Sequence, residues 1–320
     1  MNESGLWPDQ LTFLSEADKQ QLKQSILPVF KKLLQKEAIQ FSSEMERSFE
    51  EVFLPLSAWL AHCYNNKPVI VGLNGAQGSG KSTLAKVIAL ILEKGFNKSV
   101  LSLSIDDLYK TREQRLLMSK TVHPLFITRG VPGTHDVLSG IQLFSRLKTG
   151  EKGIAVPAFD KAVDDRVSEK CWHIQQEAVD IVIFEGWCVG SQAQTEDELQ
   201  IPVNELERTE DPAMIWRSFA NNQLKGIYRD LFSLIDILIM LRAPDFGSVI
   251  EWRNLQESKL RSLSSGLSAE NNKVMGKTEL ERFVMHYERI TRATLDEMPS
   301  RADIVLNLNK QHFIESVHVK

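Results

Sequence analysis

The sequence predicts an α/β fold, a doubly wound parallel sheet preceded by an α-helical N-terminal extension, and three observations carry that prediction. Four short runs, at residues 68–73, 99–105, 179–184 and 235–241, with a fifth at 304–308, are apolar throughout instead of alternating. Strands read this way when helices cover both faces of a parallel sheet. Helical stretches lie between them, most clearly at 82–93, so strand and helix alternate along the chain. Before the first strand, from Ser15 to about Asn65, Leu22, Ile26, Val29, Phe30, Leu33 and Leu34 fall near helical spacing with charges between them. Pro28 is expected to begin or bend one of these helices.

The chain has 320 residues, enough for one large core with appendages. The expected division is a helical extension at 1–66 packed on a main domain at 67–320, with a lid around 247–280. Polar stretches at 191–211 and 262–277 read as mobile surface loops or insertions. Hydrophobic residues make up 42% and charged residues 25%, which excludes wholesale disorder. A net charge of −4, with basic residues scattered, argues against nucleic acid as a partner. Cys63, Cys171 and Cys188 form no CxxC pair, so neither a structural zinc nor a disulfide framework is expected, and a reducing cytoplasm fits. The first ten residues lack a basic segment followed by an apolar one, and no uncharged apolar run approaches the ~20 residues that span a bilayer. A soluble, non-secreted protein without membrane attachment is expected; oligomeric state is not legible.

The first strand runs directly into Gly75, Ala76, Gln77, Gly78, Ser79, Gly80, Lys81 and Ser82, which satisfy the phosphate-binding pattern G-x-x-x-x-G-K-[ST], and a helix follows. Strand, loop and helix in that order are the context the motif requires. Glycines let successive N–H groups turn toward phosphate oxygens, and the helix start adds its positive dipole end. Gly75, Gln77, Gly78, Ser79, Gly80, Lys81, Ser82 and Thr83 are therefore the candidate ATP site, with Lys81 reaching the β- and γ-phosphates and Ser82 offering its hydroxyl to Mg²⁺. The fold is thus of the P-loop NTPase type.

The pattern does not by itself separate a kinase from a GTPase or a motor, and the other strand ends must. Asp106 and Asp107 close the second strand, placing at least one carboxylate beside the phosphates, where it can accept the proton of an attacking hydroxyl. Glu185 ends the third strand where an acid would complete the Mg²⁺ shell, and Gly186 lets the chain turn. His123, His173 and His286 have no ligand-spaced partners and read as surface or core residues. Trp187 is a core anchor or a wall of the site, and Cys188 reads as an inert buried thiol.

With the phosphate loop, Ser104 to Tyr109 (S-x-D-D-x-Y) and Phe184-Glu185-Gly186 in order, the chain resembles the phosphoribulokinase, uridine kinase and pantothenate kinase superfamily. It is most similar to the plant-type D-glycerate 3-kinases and their fungal and bacterial relatives, through residues 75–83, 104–109, 129–136, 156–161, 184–190 and 252–257. The resemblance implies that Asp106 is the general base, with Asp107 left to Mg²⁺ or to structure, and that Glu185 is the Walker B acid. It implies an acceptor site drawing on Arg129, His135, Asp136, Asp160, Lys161 and Arg166, and a helical lid whose Arg253 and Arg261 approach the transferred group. Catalysis then falls to Lys81, Asp106 and Arg253, and metal binding to Ser82, Glu185 and Asp107. The implied reaction is ATP- and Mg²⁺-dependent phosphorylation of a hydroxyl on a small metabolite. Arg129 and His135, where a nucleoside kinase would place stacking aromatics, favour an anionic acceptor such as D-glycerate. Uridine or pantothenate as acceptor, and a non-catalytic nucleotide-binding regulator, stay open.

Overall fold

The computed structural model describes residues 6–264 and 276–320, and of residues 10, 259–264 and 277 the backbone only. Most of the stretch 262–277 and the Arg261 side chain therefore lie outside the described residues. The chain opens with α1 (Glu16–Lys36), α2 (Ser43–Ser48) and α3 (Leu54–Cys63). Ser15 starts α1 by accepting the Asp18 N–H at 3.1 Å, and Glu16 and Asp18 face the positive end of the helix dipole. Pro28 lies inside α1 and does not begin a helix. It removes one donor to the preceding turn, while Ile26, Phe30 and Leu34 still bury one stripe.

β1 (Val69–Gly75) leads into α4 (Lys81–Phe96), and β2 (Val100–Ser104) into α5 (Arg112–Thr121) and α6 (Val137–Lys148). Two small antiparallel pairs follow: β3 (Ile154–Val156) with β6 (His173–Gln175), and β4 (Phe159–Asp160) with β5 (Asp165–Arg166). Then come β7 (Ile181–Gly186), helices α7 (Glu196–Gln200), α8 (Glu205–Glu210), α9 (Ile215–Gln223) and α10 (Arg229–Phe232), β8 (Ile237–Arg242), α11 (Phe246–Ser264), α12 (Lys277–Glu297), β9 (Ile304–Leu308) and β10 (Ile314–Val319). The main sheet runs β10-β9-β8-β1-β7-β2, all parallel except the edge strand β10.

Both faces are covered. On one, Val71, Leu73 and Ile183 of the sheet join Ile88 of α4 and Phe30, Phe49 and Leu56 of the extension in a single buried cluster. On the other, Ile70, Val182 and Phe184 meet Leu143 and Phe144 of α6 and Tyr228. This is why the central strands read as unbroken apolar runs. The stretch 191–211, expected as a mobile loop or an insertion, is a folded segment. It carries α7 and α8, anchored by fully buried ion pairs of Asp211 with Arg217 (3.1 Å) and of Glu207 with Arg289 of α12 (2.6 Å). Among the described residues no helix is long and apolar enough to cross a membrane.

One glycine shows how tightly the strand ends converge. A Cβ on Gly186, at the end of β7, would lie inside contact distance of Ile105 in the 3₁₀ turn after β2, and 2.9 Å from Val189 Cγ2. Gly186→Ala is therefore expected to destabilise the fold by about 1–3 kcal/mol through overpacking, read as a lower urea midpoint at unchanged m-value.

Candidate active site

The parallel register sets the site. Glu185 lies beside Leu73 of β1 on one side and Ser104 of β2 on the other, so the C-terminal ends of three adjacent strands deliver the phosphate loop, Asp106 and Glu185 to one edge. Asn74 pins the turn after β7 by donating to the Val189 carbonyl (2.8 Å) and the Trp187 carbonyl (3.3 Å). Gly75 closes β1. Gly78 takes φ +79° and sits against α11, where a Cβ would come 2.9 Å from Trp252 Cβ. Gln77 to Thr83 line a cavity of about 800 Å³, and Lys81 and Asp106 both face it.

Several polar atoms here lack partners within the protein. Gln77 Nε2, Ser79 Oγ and Glu185 Oε2 are buried without a hydrogen bond. Such orphans are uncommon in folded proteins, and three at one strand edge suit a site built for a polar ligand. Ser82 Oγ donates to Glu185 Oε1 at 2.8 Å, so the hydroxyl and carboxylate expected to hold Mg²⁺ are already side by side. Among the described residues no group of three His, Cys, Asp or Glu is disposed to hold a metal. A Mg²⁺ held by one hydroxyl, one carboxylate and phosphate oxygens is consistent with that donor set.

Asp106 and Asp107 part company. Asp107 Oδ2 accepts the Ser104 N–H at 3.0 Å and closes a capping box on the 3₁₀ turn at Ile105–Leu108. Of the two roles expected for Asp107, Mg²⁺ or structure, the capping box supports the structural one: it organises the turn that presents its neighbour. Asp106 Oδ2 accepts from Lys161 Nζ at 2.6 Å. Burial alone would raise the Asp106 carboxyl, but the Lys161 ammonium, and behind it Lys81, bring it below its ordinary value. A base held ionised beside a phosphate loop can accept a proton. The Tyr109 hydroxyl lies against the same carboxylate.

The acceptor side was read less accurately. Arg129 and Lys161 line the cavity, whereas His135, Asp136, Asp160 and Arg166 do not. Asp136 caps α6 through the Ser139 N–H (3.2 Å) and pairs with Arg166 (3.1 Å), whose guanidinium also donates to the Tyr109 carbonyl at 3.2 Å. Asp160 Oδ1 accepts the Ala162 N–H at 2.8 Å, turning the β4–β5 hairpin that carries Lys161 at its tip. These contacts shape the hairpin from which Lys161 reaches Asp106. His135 is buried behind Tyr109, ring on ring at 4.4 Å, with Nδ1 2.6 Å from the Tyr228 hydroxyl. Burial lowers its pKa to about 3, so it is neutral and offers no cation to a substrate. Arg129 pairs with Asp164 and lies over the Phe159 ring.

Lys161→Met removes the ammonium that holds Asp106 ionised while keeping most of the side chain's bulk. Asp106 must be deprotonated to act as a base, so the acid limb of the kcat/KM profile is expected to move to higher pH. A pH–rate profile checks this, and an unmoved limb would detach Lys161 from the base.

Over the loop, Arg253 of α11 faces the cavity with its guanidinium on Gln256 (3.0 Å) and Glu257 (2.5 Å) and above the Phe283 ring of α12. Of the groups around it, sequence reasoning missed His312 and Tyr287. His312, in the loop between β9 and β10, stacks on Trp252 at 4.1 Å and donates from Nε2 to the Gly78 carbonyl at 2.8 Å. Tyr287 of α12 donates to the Arg129 carbonyl at 3.1 Å, and Trp187 donates to the Gly130 carbonyl at 3.3 Å. Tyr109, Trp187 and Tyr287 give the acceptor end an aromatic wall. Cys188 is fully buried and its thiol is pushed up by burial, as an inert thiol should be.

No family model matches the chain. The uncharacterized kinase mug58 of Schizosaccharomyces pombe is 32% identical over 231 residues, which are 69% of this chain and 79% of that protein. The chloroplastic D-glycerate 3-kinase of Arabidopsis thaliana is 26% identical over 250 residues, 74% of this chain but 50% of the plant protein, so the chain spans half its length. A D-glycerate 3-kinase structure from Cryptococcus neoformans has the same fold, with a TM-score of 0.65 at 23% identity over 96% of this chain and 100% of that one. A parallel sheet edge that sets a phosphate loop and Asp106 on one cavity, with Glu185 hydrogen-bonded to Ser82 and kinases as relatives, defines a P-loop kinase. More narrowly, the chain belongs to one family with the uncharacterized fungal kinase mug58, and it is similar at lower identity to D-glycerate 3-kinase and to pantothenate kinases.

Proposed function

We propose that the protein transfers the γ-phosphoryl group of ATP to a hydroxyl of a small anionic metabolite, with D-glycerate as the first candidate. The observation that carries this reading is that Lys81 and Asp106 face one cavity with Arg129 and Lys161 beside them. Phosphate loop, base and anion-binding cations can then share a single pair of ligands. Gln77 to Thr83 would hold the triphosphate, and Ser82 and Glu185 the Mg²⁺. When bound, Mg²⁺ supplies charge neutralisation on the phosphate oxygens. Lys161 and Arg129 bind the acceptor's anionic group, and as Lys161 turns to it, Asp106 is released to take the hydroxyl proton. Lys81 then offsets charge on the transferred group. Most of the acceleration in such a transfer comes from positioning and electrostatics.

The test is a coupled ADP-release screen over hydroxy acids, sugar phosphates, nucleosides and vitamins. Release stimulated by D-glycerate or a close hydroxy acid supports the reading. The aromatic wall of Tyr109, Trp187 and Tyr287 favours one alternative, a larger acceptor such as pantothenate or uridine, and stimulation by either alone would establish that instead. ATP turnover indifferent to every acceptor would favour a nucleotide-dependent regulator.

A further inference from the structure

Behind Tyr109 lies a buried polar pair, Tyr228 and His135, that phosphate and acceptor binding leave without a role. Tyr228 ends the kinked turn Leu224–Tyr228 between α9 and α10. Its phenol oxygen accepts the Gly133 N–H at 2.9 Å and lies 2.6 Å from His135 Nδ1. Gly133 and His135 belong to the loop that begins at Arg129, and that loop is also bonded to the segment that carries Asp106. There the Lys110 N–H donates to the Thr134 carbonyl at 2.8 Å, and the Asp136 N–H to the Leu108 carbonyl at 2.6 Å. The His135 ring stacks on Tyr109 at 4.4 Å, and Phe159 meets the Tyr109 ring at a steep angle, 5.2 Å away. Two ring contacts therefore restrict Tyr109, which faces the cavity with its hydroxyl on Asp106.

Which nitrogen of His135 carries the proton follows from counting donors and acceptors. Burial keeps the ring neutral, so it has one N–H. Were that N–H at Nδ1, it would point at the phenol oxygen. The Tyr228 O–H would then have no acceptor among the described residues, and Nε2 no donor. With the proton at Nε2, the phenol donates to Nδ1 and a single buried group, the Nε2 N–H, is left unmade. Buried polar groups without partners are costly, so the arrangement with fewer of them is favoured. The lock matters for the base. Lys161 leaves Asp106 as it turns to the acceptor, and a carboxylate that has lost that partner needs another to keep its lone pair aimed. We propose that Tyr228 is a positioning residue for the transfer: it locks His135 with its proton on Nε2 and, through the His135 ring stacked on Tyr109, keeps the Tyr109 hydroxyl on Asp106. This rests on the reading of Asp106 as the base. Tyr228 does not line the cavity, so its influence passes through His135 and Tyr109.

Long-range proton–nitrogen spectra of the full chain with isotope-labelled histidine read the tautomer directly, His135 being assigned by the signals lost in His135→Asn. The wild type is expected to show His135 protonated at Nε2, and Tyr228→Phe a mixture or the other form; a wild-type ring protonated at Nδ1 would overturn the lock. Kinetics read the positioning, by ADP release with ATP and D-glycerate, or with the panel member that stimulates turnover in its place. Tyr228→Phe is expected to lower kcat about ten- to a hundredfold at unchanged KM for ATP. Added to Tyr109→Phe, it is expected to cost nothing further, because the one acts through the other. Should Tyr228→Phe fold poorly in thermal melts, His135→Asn, which removes the ring behind Tyr109, takes its place in the same cycle with the same expected result. Effects that multiply in full, or a kcat like that of the wild type, would overturn the positioning role while the wild type stays active. If no acceptor stimulates the wild type, the phosphotransfer reading itself fails and the positioning role with it.

Discussion

Asp106→Asn is expected to lower kcat by about 10²–10⁴, the range for loss of a positioned general base, or roughly 3–5 kcal/mol of transition-state stabilisation. The substitution keeps the shape of the side chain and removes the charge and the proton-accepting capacity. Lys161 loses its partner, but its side chain is 61% exposed, so little stability should go with it. The candidate triphosphate site is the phosphate loop and not Asp106, so ADP affinity should change little, and the loss should appear in kcat and not in nucleotide binding. Asp107→Ala supplies the contrast. It removes a capping-box acceptor and should lower stability by about 1 kcal/mol, with a smaller effect on turnover than Asp106→Asn. Steady-state kinetics beside thermal melts of both variants read this out. An Asp106→Asn enzyme within a few-fold of wild type, or an Asp107→Ala enzyme more impaired than it, would remove Asp106 from the base role.

What the sequence disclosed and what it hid follow from how each residue acts. The five parallel strands were legible because burial on both faces forces an unbroken apolar run, while β10 was not, since an edge strand with exposed Glu315 and His318 has no such pattern. The phosphate loop and Glu185 were legible because their positions at strand ends follow from the topology itself. The acceptor side was half legible. Lys161 and Arg129 line the cavity, whereas Asp136, Asp160 and Arg166, with the same polar chemistry, are engaged in a cap, a turn and an ion pair. His135 could be recognised as neutral only once Tyr109 and Tyr228 were seen around it. His312 meets Gly78 across more than two hundred residues of sequence, and Tyr287 reaches Arg129 from a helix whose pattern is that of any amphipathic surface helix, so no local signal marks either.

Lys81→Met carries the other large effect, and it acts twice. Removing the ammonium deletes a cation from a partly enclosed site where charge builds on the transferred phosphoryl group, a loss of about 10²–10³ in kcat by analogy with other preorganised charge-stabilising groups. Lys81 also helps hold Asp106 below its ordinary pKa, so its removal should shift the acid limb of the rate profile upward, and the deficit should widen as pH falls. The two roles predict a specific result in combination. If Lys81 and Asp106 serve one transfer at one ligand, the double variant Lys81→Met, Asp106→Asn should fall well short of the product of the single effects, since each loss already disables the step the other assists. Effects that multiply in full would mean that the two side chains act on separate events, and the shared cavity would then be a coincidence of packing.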